Sequence, residues 1–328
     1  MALTLRRGTV SAIVERREGL VRLEVDGTAC VAYPELTGPV ALGDDVVVNT
    51  QARELELGSG GFDVLHANLT RGLELRPAPN AHVMKLPYTP LQFASRHGEE
   101  DEELPARIDG MPVVACSLHS QLVPVCAALA GVGVAYVQLP GGAVPVGLSD
   151  SVRALRASGL VELVIGVDAC FGGDVDCVNV YSALALARAR GADVAVCGIG
   201  PGIVGTGTTL GHGGLAAAIA ASAASSLGGT PVVALRVSER DPRDRHRGVS
   251  HHSRAVLSLC GPNVKVAWPE GCPLEEPESA ATATVAVADW RDACRGLPLS
   301  HMGRGPDDDE WFFAAAFAAG KLARSLVG

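Results

Sequence analysis

The sequence predicts an α/β protein in which a small N-terminal β-barrel is followed by a Rossmann-like, doubly wound parallel sheet. Short apolar stretches recur about every ten residues as far as residue 76. Beyond residue 111, strand-like and helix-like stretches alternate strictly, and the strand-like ones carry almost no charge, as buried parallel strands do. We therefore predict a barrel domain (1–76), a proline-rich and acidic connector (77–110), and a three-layer α/β domain with a C-terminal helix (111–328).

The first of these regions contains short stretches with the alternation of β-strands. We predict the strands at residues 7–14, 21–25, 29–33, 46–50 and 62–69. Turn signals separate them at Asp26-Gly27, at Gly43-Asp44 and at 58–61. Five such strands are typical of a barrel of the OB or SH3 kind. Many of these barrels bind oligonucleotides, but this stretch offers few aromatic side chains for stacking, so packing, substrate covering or subunit contact is the expected role.

The α/β region alternates regularly enough to place its loops. We predict strands at 113–116, 134–137, 163–167, 194–197, 232–237 and 264–267, and helices at 119–129, 149–157, 178–190, 214–227 and 250–259. Open α/β sheets bind ligands beyond the carboxyl ends of their strands. The loops expected to hold the site are therefore 117–119, 138–146, 168–179, 198–212 and 238–253.

Composition excludes several classes of protein. A chain of 328 residues with 48% hydrophobic residues is neither disordered nor fibrous. Its 27 Lys and Arg stand against 36 Asp and Glu, a net charge of −9, which makes a nucleic-acid partner unlikely. Two acidic runs, 99–103 and 307–310, account for this excess. We expect the first in a solvated linker and the second before the final helix, both away from the carboxyl edge of the sheet.

Other sequence features concern the cellular setting. The N-terminus lacks the pattern of a signal peptide, and the nine Cys are scattered without a CxxC pair, which predicts a cytoplasmic protein. The uncharged stretches 110–149 and 194–235 are cut by Pro and Gly into pieces too short to span a membrane. The high apolar content with few aromatics predicts a homo-oligomer.

A glycine-rich loop follows the strand at 194–197. It has GxGxxG spacing between a strand and a helix, where backbone amides can surround an anion. Pro201 removes one donor, and no acid follows about twenty residues later, so a dinucleotide site is doubtful. We expect phosphate or anion binding, with glycines that serve only tight turns as the alternative. The candidate ligand-binding residues are Gly200, Gly202, Gly205, Thr206, Gly207 and Thr208.

A second loop, 168–179, is rich in acids. Asp174, Asp176 and Asn179 precede a predicted helix, so helix capping explains one of them. The functional interpretation makes Asp174 a catalytic or cation-binding residue and Asn179 a ligand-binding residue. Both interpretations stay open.

The third loop, 239–254, holds five Arg, three His and three acids. Arg245 and Arg247 are suited to bidentate capture of phosphate or carboxylate, and His246, His251 and His252 are candidates for proton transfer. A solvated charge run is the alternative.

The same histidines raise the question of a metal. Adjacent histidines on a helix point about 100° apart, so we expect metal binding by this loop alone to be weak. Any metal or cofactor stays unknown at this stage. His119 and His212, on other loops, are possible partners of the three histidines, although a single such residue is more often a buried histidine with satisfied hydrogen bonds.

Four separated motifs resemble a known family. They are HVMKLPYTPLQ at 82–92, FGGD at 171–174 continuing to Asn179, GPGIVGTG at 200–207 and RHRGVSHH at 245–252. Together they resemble a bacterial family catalogued as domain of unknown function 3866, over nearly the whole chain. The resemblance implies a bacterial cytoplasmic protein and no particular chemistry. Lys85, in the first motif, is a further candidate ligand-binding residue.

These residues suggest an enzyme that acts on a small anionic substrate, either phosphorylated or a carboxylate. The alternative is a non-catalytic ligand-binding or regulatory protein that uses the same pocket. The enzyme hypothesis expects one cleft to bring together five side chains: Lys85, Asp174, His246, His251 and His252.

Overall fold

The computed structural model describes residues 5–56, 60–75, 78–277 and 281–328. The chain divides into two compact units, Met1–Arg96 and His97–Gly328. Residues 76 and 77, where we placed the first domain boundary, lie outside the described residues, and so does the first half of the predicted turn at 58–61. The three-part division therefore stays a prediction.

The described part of the first unit contains a closed five-stranded barrel, as predicted. Its strands are β1 (Leu5–Arg17), β2 (Leu20–Val25), β3 (Thr28–Ala32), β4 (Asp45–Asn49) and β5 (Asp63–Asn68). They close in the order β1-β2-β3-β5-β4. Inward-facing apolar side chains such as Leu23, Val46 and Val48 fill the interior. The helices α1 (Pro34–Thr37) and α2 (Gln51–Glu54) and a hairpin of β6 (Val83–Lys85) and β7 (Phe93–Ser95) complete the elements described in this unit.

The second unit is built on a parallel sheet, which counts eight strands among the described residues. They are β8 (Pro112–Cys116), β9 (Val134–Leu139), β10 (Leu163–Val167), β11 (Val175–Cys177), β12 (Val194–Ile199), β13 (Thr230–Ala234), β16 (Lys265–Pro269) and β17 (Thr282–Val285). Their order is β11-β10-β9-β12-β8-β13-β16-β17, and all neighbours run parallel. A small antiparallel hairpin of β14 (Val237–Ser238) and β15 (Gly248–Val249) follows β13.

Helices cover both faces of this sheet, which confirms the doubly wound fold. They are α3 (Leu122–Ala128), α4 (Asp150–Ala157), α5 (Val180–Ala189), α6 (Ala216–Ser226), α7 (His251–Leu259), α8 (Trp290–Ala293) and α9 (Glu310–Arg324). One apolar core joins the sheet to α3, α4, α8 and α9, and a second joins it to α5, α6 and α7. Short 3₁₀ turns occur at Gly98–Glu100, His119–Gln121, Val146–Leu148, Gly213–Leu215 and Asp244–His246. No helix in the described ranges is both long enough and apolar enough to cross a bilayer.

The strand order locates a crevice at the carboxyl edge. The connection from β8 passes over one face of the sheet through α3 to β9, and the connection from β12 passes over the other face through α6 to β13. Because these connections leave adjacent strands in opposite directions, their loops separate at the carboxyl ends of β8 and β12, which is where ligands bind in folds of this kind.

The acidic runs are placed differently from our expectation. Glu99 accepts a hydrogen bond from the Val178 amide (2.7 Å) and Glu102 forms an ion pair with Arg190 (2.7 Å), both inside the second unit. Asp309 is 1% exposed and accepts hydrogen bonds from Ser238 Oγ (2.5 Å) and Arg304 Nε (3.2 Å). The second run does precede the final helix, but the prediction that it lies away from the carboxyl edge is wrong, because Asp309 is bound to the segment that leaves β13.

Candidate functional site

The segment after β13 folds back on itself and so brings its histidines together. The amide of Arg236 donates to Ser253 Oγ (2.7 Å), and the amide of Ser250 donates to the Arg236 carbonyl (2.9 Å). Ser250 also caps α7, since its hydroxyl accepts a hydrogen bond from the His252 amide (3.2 Å). The β14–β15 hairpin and this cap place the turn that contains His246 against the first residues of α7.

Four imidazoles from two loops form what we call the histidine cluster: His212, His246, His251 and His252. The ring of His212 stacks on that of His252 with centroids 3.8 Å apart, and the His246 ring lies 4.7 Å from that of His251 and 4.8 Å from that of His252. One ligand nitrogen from each of His246, His251 and His252 falls within 4.8 Å of the others. His246 thus reaches the two adjacent histidines from the turn, and the expectation that this loop alone binds a metal only weakly stays a prediction.

Burial keeps the cluster uncharged. It lowers the pKa of His246 to about 3, with help from the positive charges of Arg236 and Arg243. It lowers the pKa of His252 to about 2, with a further contribution from His212 and Arg236. The pKa values of His212 and His251 are lowered as well, again mainly by burial. At neutral pH the four rings are therefore neutral imidazoles, each with one nitrogen lone pair.

The hydrogen bonds of these rings are incomplete. His246 Nδ1 lies 2.7 Å from Ser250 Oγ, and His252 Nδ1 lies 3.5 Å from Arg236 Nη1. Within the ranges that the structure describes, the buried Nε2 of His251 and both ring nitrogens of His212 make no hydrogen bond of ordinary geometry. The backbone of Thr209 lies close enough to His212 to act on the pKa of its ring, but not in hydrogen-bonding geometry. Buried nitrogen atoms are normally hydrogen-bonded, so unpartnered ones at the carboxyl end of a strand mark a place where a ligand or water can bind.

Beside the cluster lies a buried charge network that holds the loop. Arg236 is 2% exposed and donates to Asp241 (2.9 Å), which is completely buried. Arg243 (3.0 Å) and Arg304 (3.1 Å) also donate to Asp241. Burial alone would raise the pKa of Asp241, but hydrogen bonds from Arg243 and the nearby guanidinium charges hold it below its ordinary value. Burial lowers the pKa of Arg236 to about 10.

Sequence reasoning missed several members of this network, above all Arg236, Arg304 and Asp309. A charged residue directly after an uncharged strand was the available signal for Arg236. The other two come from the segment before α9, and nothing in the local sequence connects them to β13.

The glycine-rich loop forms a hairpin of its own, and anion binding by its remaining amides stays a prediction. Residues 204–213 form a small hairpin in which the amide of Thr206 donates to the Gly211 carbonyl (2.8 Å) and the amide of Gly213 donates to the Val204 carbonyl (2.8 Å). The helix α6 begins only at Ala216, so its N-terminus does not follow the GxGxxG residues directly. Thr206 and Thr208 are exposed, and their hydroxyls lie 3.0 Å apart. Gly202 is exposed with φ +74°, as a tight turn requires.

Gly200 and Gly207 have different physical reasons to be glycine. A Cβ on buried Gly200 would lie 2.0 Å from the Ala143 carbonyl oxygen, so this glycine permits close packing of two loops. Gly207 has φ +82°, and a Cβ there would lie 3.6 Å from Arg245 Nη2. Gly200 is therefore explained by packing alone, which is the structural alternative to anion binding. Gly207 instead lies directly beneath the Arg245 guanidinium group. Gly205 bridges to His212 and places that histidine next to the cluster.

The two candidate arginines differ in their partners. Arg247 forms an exposed ion pair with Asp244 (3.3 Å). Arg245 is exposed, and no carboxylate of the described chain lies within 4.0 Å of it. Its charge acts on His251, whose pKa it helps to lower. Arg245 thus joins the glycine hairpin to the histidine cluster and carries a charge that no acid of the described residues neutralises.

Asp174 and Asn179 are not brought to this site. Asp174 accepts hydrogen bonds from the Val164 amide (2.8 Å) and from Arg156 (2.6 Å), near the amino end of β10. Four strand steps separate β10 from β13, roughly 19 Å, since neighbouring strands lie about 4.8 Å apart. Asn179 caps α5 by accepting from the amides of Tyr181 and Ser182, so capping explains it fully. The predicted convergence is wrong for Asp174.

Three further predicted residues have different outcomes. His119 is bonded through both ring nitrogens, to the Ile199 carbonyl (3.0 Å) and to Ser149 Oγ (2.8 Å), so the structural interpretation applies to it. His212 instead joins the cluster. Lys85 is buried on β6 of the first unit, and its proximity to the histidines stays a prediction.

The fold and these loops together define a barrel-bearing α/β protein with a histidine and arginine site at the carboxyl edge of a parallel sheet. The family model described as protein of unknown function (DUF3866) matches residues 29–320, and the chain belongs to that family. A comparison with curated proteins finds no match.

Proposed function

We propose that this protein is an enzyme that binds a small anionic substrate, phosphorylated or a carboxylate, between the 204–213 hairpin and the histidine cluster. The observation that carries this proposal is the position of Arg245. Its guanidinium has no acidic partner in the described chain, lies over Gly207 and is close enough to His251 to lower the pKa of that ring. A guanidinium in this state offers a planar pair of donors to phosphate or carboxylate.

The surroundings support an anion more than a cation as the substrate. Arg243 and Arg245 border the cluster. The buried Asp241 is fully engaged by Arg236, Arg243 and Arg304, and Asp244 forms an ion pair with Arg247. The exposed hydroxyls of Thr206 and Thr208 add neutral donors on the hairpin side. The global charge of −9 thus gives little information about this local surface.

A second candidate is a binding or regulatory protein that does not turn its ligand over. The pKa values of about 3 for His246 and about 2 for His252 favour it, because a general base works best with a pKa near the operating pH. A ligand that raises the melting temperature and is recovered unchanged would support this candidate.

The anion site is tested by calorimetry on the full chain with inorganic phosphate, phosphorylated sugars, nucleotides and small dicarboxylates. We expect at least one of these to bind, and Arg245→Gln to weaken its Kd by about tenfold or more, as loss of a charge-assisted pair does. Arg240→Gln is the matched control, because Arg240 lies in the same loop but lines a groove with Asp307 and Asp308. Equal affinities of the two variants would reject the role of Arg245.

Four accompanying predictions complete the proposal. We expect a bacterial, cytoplasmic homo-oligomer with no nucleic-acid partner. Sedimentation velocity tests the oligomer, and binding to heparin that is lost steeply with salt would contradict the last prediction.

A further inference from the structure

We propose that His246, His251 and His252 bind a divalent transition-metal ion, with His212 available as a fourth ligand. The three histidines each direct one ligand nitrogen to a common region, where these atoms lie within 4.8 Å of one another. Ligands of a tetrahedral zinc ion at ~2.0–2.1 Å lie ~3.4 Å apart, so the widest pair of nitrogens would approach by roughly 1.4 Å on binding.

The unpartnered nitrogens are the second, independent observation. His212 is more than nine-tenths buried, and neither of its ring nitrogens is hydrogen-bonded within the described chain. The Nε2 of His251 is buried and unpartnered in the same way. Leaving a buried polar atom unsatisfied costs folding free energy, so several in one cluster point to a group that binds them. A metal ion binds the lone pair of an imidazole nitrogen, and histidine is the commonest metal ligand in proteins.

The surrounding hydrogen bonds suit such a site. His246 Nδ1 can donate to Ser250 Oγ at 2.7 Å, which orients the ring and leaves Nε2 for the metal. The contact of His252 Nδ1 with Arg236 is long at 3.5 Å, so little is lost if the ring turns to coordinate. Arg236 keeps its bond to Asp241 at 2.9 Å in either case.

The ligand set indicates the class of metal. Three or four imidazoles, with the neighbouring Asp241 occupied by arginines, suit Zn²⁺, Co²⁺, Ni²⁺ or Cu²⁺ and are unsuited to Mg²⁺ or Ca²⁺, which prefer oxygen. With three protein ligands the ion retains an open position, as in catalytic sites. The nearby guanidinium groups oppose a bare dication and favour one that carries an anionic fourth ligand.

The test uses full-length protein with any affinity tag removed, stripped with EDTA and incubated with Zn²⁺ or Mg²⁺. After gel filtration, plasma mass spectrometry should find about one Zn²⁺ per chain and no retained Mg²⁺, and Zn²⁺ should raise the melting temperature. Co²⁺ bound to the wild-type protein should give visible d–d absorption bands typical of nitrogen coordination. This measurement requires no variant.

Variants locate the ion. His251→Ala and His252→Ala should each weaken Zn²⁺ binding by about 100-fold or more, since even changes behind the ligands cost 10- to 100-fold. His66→Ala, in the barrel strand β5, should bind as the wild type does. Substoichiometric Zn²⁺ in the wild type, or unchanged binding by the cluster variants, would overturn the proposal and leave water as the occupant. The result is independent of the proposed function, because anion binding through Arg245 can succeed or fail without it.

Discussion

Buried polar groups in the barrel and at the sheet edge differ in how completely they are bonded. In the barrel unit, Asp44 is 1% exposed and accepts hydrogen bonds from Arg71 Nε (2.8 Å), Asn68 Nδ2 (2.8 Å) and the Ala41 amide (2.8 Å). In the α/β unit, the histidine cluster buries nitrogens that the described chain does not satisfy. A complete network stabilises a fold, and an incomplete one is a place where a ligand can add free energy.

The α/β unit contains an example of each kind within a few ångströms. Asp241 is bonded by three arginines, whereas the adjacent imidazoles have free nitrogens. We interpret Asp241 as part of the scaffold and the cluster as part of the site. Mutation tests this distinction. A change in a scaffold residue should lower the free energy of unfolding, whereas a change in a site residue should leave it nearly unchanged.

The largest effect is expected from Asp241→Asn. The change leaves the buried guanidinium of Arg236 without its counter-ion, which costs about 3–5 kcal/mol in buried ion pairs broken on one side. Urea unfolding monitored by circular dichroism measures this loss. Asp244→Asn, which alters the exposed pair with Arg247, should change the free energy of unfolding by less than about 0.5 kcal/mol. Similar small losses in both variants would show that Asp241 is not structural.

Asp44→Asn should lower the stability of the barrel unit by about 2 kcal/mol at neutral pH, because it removes charge-assisted hydrogen bonds. Burial works against ionisation of Asp44, but bonds from Arg71 and Asn68 hold its pKa below the ordinary 3.8. A depressed pKa gives stability that is complete above 3.8 and is lost as the pH falls through the folded value. The difference between wild type and variant should therefore shrink below about pH 4. The exposed Asp26→Asn should show a much smaller difference at neutral pH, and a gap that is constant with pH would contradict the assignment.

The smallest expected difference in stability is between variants of two histidines, His119 and His212, of which only the first has both ring nitrogens hydrogen-bonded. His119→Phe removes two made hydrogen bonds and should cost about 1–3 kcal/mol. His212→Phe removes nitrogens that make none and keeps a ring that can stack on His252, so in EDTA-treated protein its effect should stay within about 1 kcal/mol. Equal losses in thermal unfolding would mean that the His212 nitrogens are bonded, and the comparison would fail.

Local patterns were sufficient for most of the fold. The alternation of short strands predicted the barrel, and apolar runs with helical intervals predicted six of the sheet strands to within a few residues. The edge strands β11 and β17 were missed, since they are three and four residues long and lack an apolar core pattern. The hairpin of β14 and β15 was hidden in the charged loop, where two-residue strands have no period to detect.

The site was predictable only in part. Placing loops at the carboxyl ends of strands singled out the residues from 200 to 212 and from 238 to 253, and the structure brings His212 of the first loop onto His252 of the second. The same rule included Asp174, because sequence does not show that the chain returns to the amino end of β10 before β11 begins. GxGxxG spacing suggested amides aimed at an anion, but the hairpin bonds use two of them within the loop.

The sequence by itself determined the fold class, the order of its elements and the chemical character of the Arg and His loop, because periodicity and composition are local properties. The tertiary structure decided which of these residues meet. It brought His212 onto His252 across forty positions of sequence, placed Arg245 over Gly207 and paired Asp241 with Arg304. Such contacts depend on how the loops at neighbouring strand ends pack, and the free nitrogens of the cluster exist only as a consequence of that packing.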